Sequence, residues 1–294
     1  MLRGIGIIGY GFVGKACHSA FKHNTTAIIV DPLYPGSSTI DNLIAEDPPV
    51  IFVCLPAPTL DSGDIDLSII EDVLCRLVKG KYRGIVILKS TIPPYAIEYI
   101  TSTYSLYSNQ FKPDNDFLHL VYSPEFLREL TWEHDALNPD MIILSGSLDD
   151  CRTVELMYRN HSHIKSDVIY YKVGYDEASL IKYAINSFLA LKVSFFNQLY
   201  QYYKDVHDDG KDPHPELWSD FIRILATDKR IGNTHMSVPG NDGKLGYGGS
   251  CFPKDVKALL KSDVFGHLSI LKEAELYNTK IRLTSTNSLC NNIK

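Results

Sequence analysis

The chain has 294 residues, of which 45% are hydrophobic and 22% charged, and a formal net charge of −6. This length and composition fit two globular domains able to bury a sizeable core, and exclude a disordered or collagen-like chain. The acidic balance supplies no basic field for a nucleic-acid partner. The six cysteines, Cys17, Cys54, Cys75, Cys151, Cys251 and Cys290, show no CxxC pair and no metal-ligand spacing. They read as thiols in a reducing, cytoplasmic compartment, with no metal. The opening MLRGIGIIGYG is too short an apolar run for a signal peptide, and no later run reaches about eighteen consecutive apolar residues, so no membrane association is expected.

In chain order, short apolar runs at 5–9, 26–31, 50–55, 84–90, 118–123 and 141–146 predict buried parallel strands. The intervening GFVGKACHSAFKH, DLSIIEDVLCRLVKG and PYAIEYITSTYSLY are each long enough for a crossover helix, so residues 1–174 read as a Rossmann-like doubly wound α/β domain. From 175 to 294 the pattern becomes helical. More than thirty residues from Asp176 run without Gly or Pro, with apolar positions three and four apart, and predict one long spine helix. Pro213 and Pro215 open a second helix, and a Gly-rich irregular stretch over 230–253 precedes two closing helices near 254–263 and 267–283.

GYGFVG, from Gly9 through Gly11, Phe12 and Val13 to Gly14, follows a strand and opens a helix, the setting in which glycines let backbone approach a pyrophosphate. Asp31 ends the next strand, 22 residues after Gly9, where a carboxylate accepts from the adenosine ribose and disfavours a 2′-phosphate. Together these predict NAD rather than NADP. Loss of Asp31 is expected to weaken NAD binding with little effect on folding.

Lys182 and Asn186, four apart on the long helix, share one face. Their neighbours Ile181, Ile185, Phe188 and Leu189 are apolar, so the pair is expected among buried side chains in a polar cleft. Taken singly, such a pair is more often a solvated helix face. Cys251 lies in a glycine-rich loop ahead of Lys254 and Asp255, at the expected start of a helix, which is a setting that favours thiolate and a nucleophilic role. The plainer reading, a small apolar filler, is the one assigned to Cys17, Cys75 and Cys151.

Taken together, GYGFVG with Asp31, LKSTIPP at 88–94, YSPEFLRE at 122–129, KYAINSFLA, RIGN at 230–233 and VPGNDGKLGYGGSCFPKD at 238–255 resemble the UDP-glucose 6-dehydrogenases, within the nucleotide-sugar dehydrogenases. The motifs keep family order across almost the whole chain. The resemblance implies an NAD-dependent four-electron oxidation of a UDP-sugar C6 hydroxyl, with Cys251 as covalent nucleophile. Lys182 and Asn186 become oxyanion stabilisers, Asp255 and Thr91 act in proton transfer, and Glu125 acts in thioester hydrolysis. Thr91 and Glu129 are assigned to the cofactor site. Glu125, Phe126, Leu127, Glu129, Lys182, Asn186, Arg230, Tyr247 and Gly248 are assigned to substrate, Arg230 reaching across a homodimer built on the long helix.

Two departures accompany the resemblance. Ala57 stands where the family usually has threonine, and no basic residue follows Asp31. Family members also usually continue into a further C-terminal nucleotide-binding domain, so a short form lacking it is expected. Three other readings remain: a dehydrogenase for UDP-N-acetylmannosamine or GDP-mannose, a two-electron β-hydroxyacid dehydrogenase, and a catalytically impaired or partner-dependent nucleotide-binding module.

Overall fold

Five four-residue runs, mostly Ile, Val, Leu, Ala and aromatic residues, carry no Asp, Glu, Lys or Arg, so they suit a sheet covered on both faces. They form one in the computed structural model, which describes residues 4–23, 25–60, 64–109, 117–207 and 214–291. Strands β1 (Ile5–Ile8), β2 (Ala27–Val30), β3 (Val50–Val53), β4 (Ile85–Leu88) and β5 (His119–Tyr122) are all parallel, in the order β2-β1-β3-β4-β5. The order reverses at β1, which has β2 on one side and β3 on the other. This is the topological switch at which open α/β sheets bind ligands.

Helices α1 (Phe12–Phe21), α2 (Ile40–Glu46), α3 (Ser68–Lys79), α4 (Pro94–Tyr104), α5 (Trp132–Leu137) and α6 (Leu148–His161) complete this part of the chain. On one face Ile5, Ile7, Phe52, Ile87 and Val121 pack with Cys17 and Phe21 of α1 and with Cys151, Val154 and Tyr158 of α6. On the other, a Cβ at Gly6 would come within 2.8 Å of both Ile51 and Leu43 of α2. The Phe21, Phe52 and Tyr158 rings lie 5.3–6.3 Å apart, and truncating Phe52 would cost about 3–5 kcal/mol.

The sixth apolar run forms β6 (Met141–Leu144), but outside the five-stranded sheet. A single antiparallel bridge, Tyr122 to Ser145, joins it to β5, and it pairs in parallel with β7 (Ile169–Lys172). Strand β7 escaped the sequence reading because IYYK is no buried run: Ile169 and Tyr171 are exposed.

By internal packing the chain divides into units of residues Met1–Lys182 and Tyr183–Lys294, the division falling inside α7 (Tyr175–His207). In the second unit every described regular element is a helix: the rest of α7, then α8 (Pro215–Leu225), α9 (Phe252–Ser262) and α10 (Ser269–Asn291). Phe196, Trp218, Met236 and Val238 form its core, with Tyr200, Tyr203 and Phe221 around the indole at 5.0–5.5 Å.

Helix α7 has 33 residues, about 50 Å at 1.5 Å per residue. By length and composition it is the one helix among the described residues that could cross a membrane, with a mean hydropathy of 1.2 over its most apolar window, 44% of which is buried inside the protein. The expectation drawn from consecutive apolar residues missed this, because the window intersperses serines and asparagines. Its buried side mixes polar and apolar residues. Ser179, Lys182, Asn186, Ser187, Ser194 and Asn197 are buried, whereas Phe188, Phe195 and Tyr202 are exposed. The expected burial of Phe188 beside Lys182 and Asn186 is therefore corrected: the inward face of α7 holds polar groups of this chain together with Tyr183 and Phe196, and Phe188 and Phe195 turn outward.

Candidate active site

The strand register collects the first unit's functional positions. Ile8 pairs with Val30 and Val53, Val53 with Leu88, and Leu88 with Tyr122, so the five strands end level. The ladder runs one residue further through Gly9 N–H to Val30 O, Cys54 N–H to Ile8 O, Lys89 N–H to Val53 O and Ser123 N–H to Leu88 O, at 2.8–2.9 Å. Gly9, Asp31, Cys54, Lys89 and Ser123 thus emerge side by side at the carboxyl edge, the binding edge of such sheets.

The three fingerprint glycines have separate physical reasons. Gly9 has φ +89°, and a Cβ there would stand 2.5 Å from Cys54 O. At Gly14 a Cβ would be 2.0 Å from Gly9 O, so only glycine lets α1 lie against the turn. At Gly11 a Cβ would meet nothing within 4 Å. No protein atom requires glycine there, which fits a position kept bare for the pyrophosphate, with Phe12 and Val13 opening α1 beside it. The Asp31 carboxylate accepts from Tyr10 N–H at 2.6 Å and Leu33 N–H at 2.8 Å. Each oxygen keeps a lone pair for a ribose hydroxyl. Asp31 therefore also ties β2 to the glycine turn, a structural role beside the expected one in NAD binding.

Along the same edge, Leu55 N–H donates to Ser90 Oγ at 3.0 Å, and Thr91 follows half-buried. Lys89, which sequence reasoning passed over, is buried and donates from Nζ to Ser123 Oγ at 3.2 Å. Beyond β5, Glu125 turns inward: Lys182 Nζ donates to its backbone oxygen at 2.6 Å and to Oε1 at 3.2 Å, while Leu127 N–H donates to Oε2 at 2.6 Å. Lys182 and Glu125 are only 3% and 8% exposed, and the ammonium lies 5.4 Å from the centre of the Phe126 ring. Glu129 lies in a short 3₁₀ turn and is exposed.

In the second unit Cys251 is the N-cap residue of α9, where its carbonyl accepts the first helical bond from Asp255 N–H at 2.9 Å. Its Sγ lies 3.6 Å from Ser250 Oγ. One turn into α9, the buried Asp255 carboxylate accepts from Asn186 Nδ2 at 2.6 Å and from Lys254 Nζ at 2.5 Å. Three residues singled out separately in the sequence, Asn186, Cys251 and Asp255, thus form one cluster, with Lys254 as its cation. Lys182 sits one turn before Asn186 on α7.

The glycine loop ahead of Cys251 is pinned to one face of α10, through contacts that carried no sequence signal beyond polar residues at helical spacing. Tyr247 is buried, its hydroxyl donating to Glu275, and its N–H donates to Asn278 Oδ1 at 2.7 Å. Burial and the Glu275 carboxylate push its phenol far above the ordinary range. Gly248 lies on the Arg282 guanidinium, 2.6 Å from where its Cβ would be, and Arg282 Nη2 donates to Asp242 at 2.7 Å. From α7, Asn197 Oδ1 accepts Gly246 N–H at 2.8 Å. Arg230 is not gathered into this cluster: its side chain is 90% exposed and bonded to Asp228 at 2.6 Å.

A glycine turn at the switch point of a parallel sheet, with an acid closing the second strand, defines a Rossmann-type dinucleotide-binding domain. Residues 36–162 match the NAD binding domain of the UDP-glucose/GDP-mannose dehydrogenase family, and residues 176–280 match that family's central domain. The chain is 34% identical over 216 residues to a putative UDP-glucose 6-dehydrogenase of Bacillus subtilis, covering 73% of this chain and 46% of that one. It is 30% identical over 290 residues to a UDP-glucose 6-dehydrogenase of Haloferax volcanii, covering 87% and 64%. It thus spans about half to two-thirds of the length of these relatives. A UDP-N-acetylmannosamine dehydrogenase from Pyrococcus horikoshii shares the fold, with a TM-score of 0.73 at 18% identity over 98% of this chain and 71% of that one. The chain belongs to the UDP-glucose/GDP-mannose dehydrogenase family and carries its NAD-binding domain.

Proposed function

We propose that the chain catalyses the NAD-dependent four-electron oxidation of a nucleotide-sugar C6 alcohol to a carboxylate, with UDP-glucose the foremost substrate and UDP-glucuronate the product. Residues 1–174 are the NAD-binding domain in this reading and 175–294 the helical central domain. The observation that carries it is the cluster of Cys251 at the start of α9 with Asp255 bonded to Asn186 and Lys254. A simple two-electron hydroxyacid dehydrogenase has no use for a cysteine capping the helix that carries this carboxylate.

Bound NAD supplies the hydride acceptor for each of the two oxidations. The chain's own residues supply the rest. The Cys251 thiolate adds to the C6 aldehyde to give a thiohemiacetal, and after the second oxidation the resulting thioester is released by water. Asn186 and Lys182 donate to the oxygen on which negative charge develops. Asp255 and Thr91 move the proton of the C6 hydroxyl, and Glu125 activates the hydrolytic water. Phe126, Leu127, Gly248 and the backbone of Tyr247 line the sugar, and Thr91 and Glu129 lie by the cofactor.

The exposed stripe of Phe188, Phe195 and Tyr202, seven residues apart on α7, supports a homodimer built on that helix. In such a dimer the exposed Arg230 serves the partner's substrate. None of the five described cysteines is in a disulfide, which accords with a cytoplasmic setting.

Incubation with NAD and UDP-glucose, read at 340 nm, tests the proposal: two NADH per sugar and a uronate product are expected. UDP-N-acetylmannosamine and GDP-mannose run in parallel decide the substrate. One NADH per sugar with a free aldehyde would defeat the covalent route.

A further inference from the structure

Beneath the glycine turn lies a pair of thiols that the proposed reaction does not use. Cys17 is on α1, directly after the fingerprint, and Cys54 is the residue that extends β3 at the carboxyl edge. Their sulfurs are 4.0 Å apart. Cys17 is buried, and Cys54 is half-buried. Cys54 also forms the floor of the glycine turn: its carbonyl oxygen lies 2.5 Å from where a Cβ of Gly9 would be, and its N–H bonds Ile8 O at 2.8 Å. The buried Lys89 emerges from the adjacent strand.

We propose that Cys17 and Cys54 form a redox site that a small peroxide converts to a disulfide, and that this disulfide weakens NAD binding. One thiolate attacks a peroxide oxygen, the O–O bond breaks, and hydroxide leaves to become water. The second thiol then attacks the sulfenic sulfur, forming the S–S bond and releasing a second water. Two thiols lose two electrons in all, and the peroxide gains them. Hydrogen peroxide suits the position because it is barely larger than water. The hydrogen bond to Cys54, together with the Lys89 charge, holds the Cys17 thiol below its ordinary value, whereas burial pushes Cys54 up.

Closing the bond draws the sulfurs from 4.0 Å to about 2 Å. The closure pulls α1 and the end of β3 together under Gly9, where the backbones already approach too closely to admit a Cβ.

The test uses the chain with Cys251→Ser, so that the other reactive thiol is absent, treated with hydrogen peroxide and alkylated after unfolding. A cross-linked peptide joining Cys17 to Cys54 is expected, together with a roughly tenfold loss of NAD affinity by calorimetry, reversed by dithiothreitol. By linkage, saturating NAD should raise the pair's midpoint potential by about 30 mV for that tenfold change. Cys54→Ser should keep its NAD affinity through the treatment, and the wild-type chain, oxidised against reduced, gives the same comparison without a variant. Two freely alkylated thiols after peroxide, separate sulfinic acids, or a disulfide with unchanged NAD affinity would each overturn the proposal. These readouts need no sugar oxidation, so their outcome is independent of the substrate assay.

Discussion

Replacing Lys182 by methionine separates what this residue does for the fold from what it does for the reaction. Lys182 and Glu125 are 3% and 8% exposed and bonded at 3.2 Å, so Lys182→Met leaves a carboxylate in the interior without its cation, with Leu127 N–H still donating to it. Breaking a buried pair from one side typically costs about 3–5 kcal/mol, whereas replacing both members is often close to neutral. For a unit of this size that cost lowers Tm by roughly 6–20 °C. Adding Glu125→Gln removes the stranded charge yet keeps an acceptor for Leu127 N–H, so the double variant should return to within about 1 kcal/mol of wild type. Both variants should remain inactive, since neither restores the donor to the developing oxyanion. Urea unfolding followed by fluorescence, alongside NADH production, measures the two effects together. A single variant as stable as wild type, or a double variant no more stable than the single, would refute the reasoning.

Asp31→Ala should lower NAD affinity and also cost about 1–3 kcal/mol, because Tyr10 and Leu33 N–H both lose their acceptor; calorimetry and thermal melts check the two losses. Arg282→Ala frees the loop that carries Gly248, and iodoacetamide should then alkylate Cys251 several-fold faster, while Arg282→Lys restores part of the protection. The Arg128 guanidinium holds the Asp135 carboxyl far below the usual carboxylate range. A depressed folded pKa gives stability that is present above the unfolded value near 4 and lost as pH falls below it. Melts from pH 7 downward should therefore show an acid loss that Asp135→Asn diminishes. Cys251→Ser should abolish uronate formation while NAD still binds, as read by product chromatography and calorimetry.

The sequence alone determined the strand runs, the glycine turn, the acid closing β2 and the unbroken α7, because each follows from local chemistry: apolar runs, glycines at fixed spacing, and absence of helix breakers. It also marked Cys251, Asp255, Lys182 and Asn186 individually. Only the tertiary structure decided who partners whom. Asn186 and Asp255 lie 69 residues apart yet share a hydrogen bond, and Lys182 reaches Glu125 across 57. No periodicity encodes such pairings, which depend on where a helix comes to rest. The same holds for the mixed inward face of α7, where Phe188 at an apparently buried position faces outward and Asn186 faces in. It holds also for Cys54, whose place beside Cys17 comes from parallel strands ending in register and from α1 packing back across them.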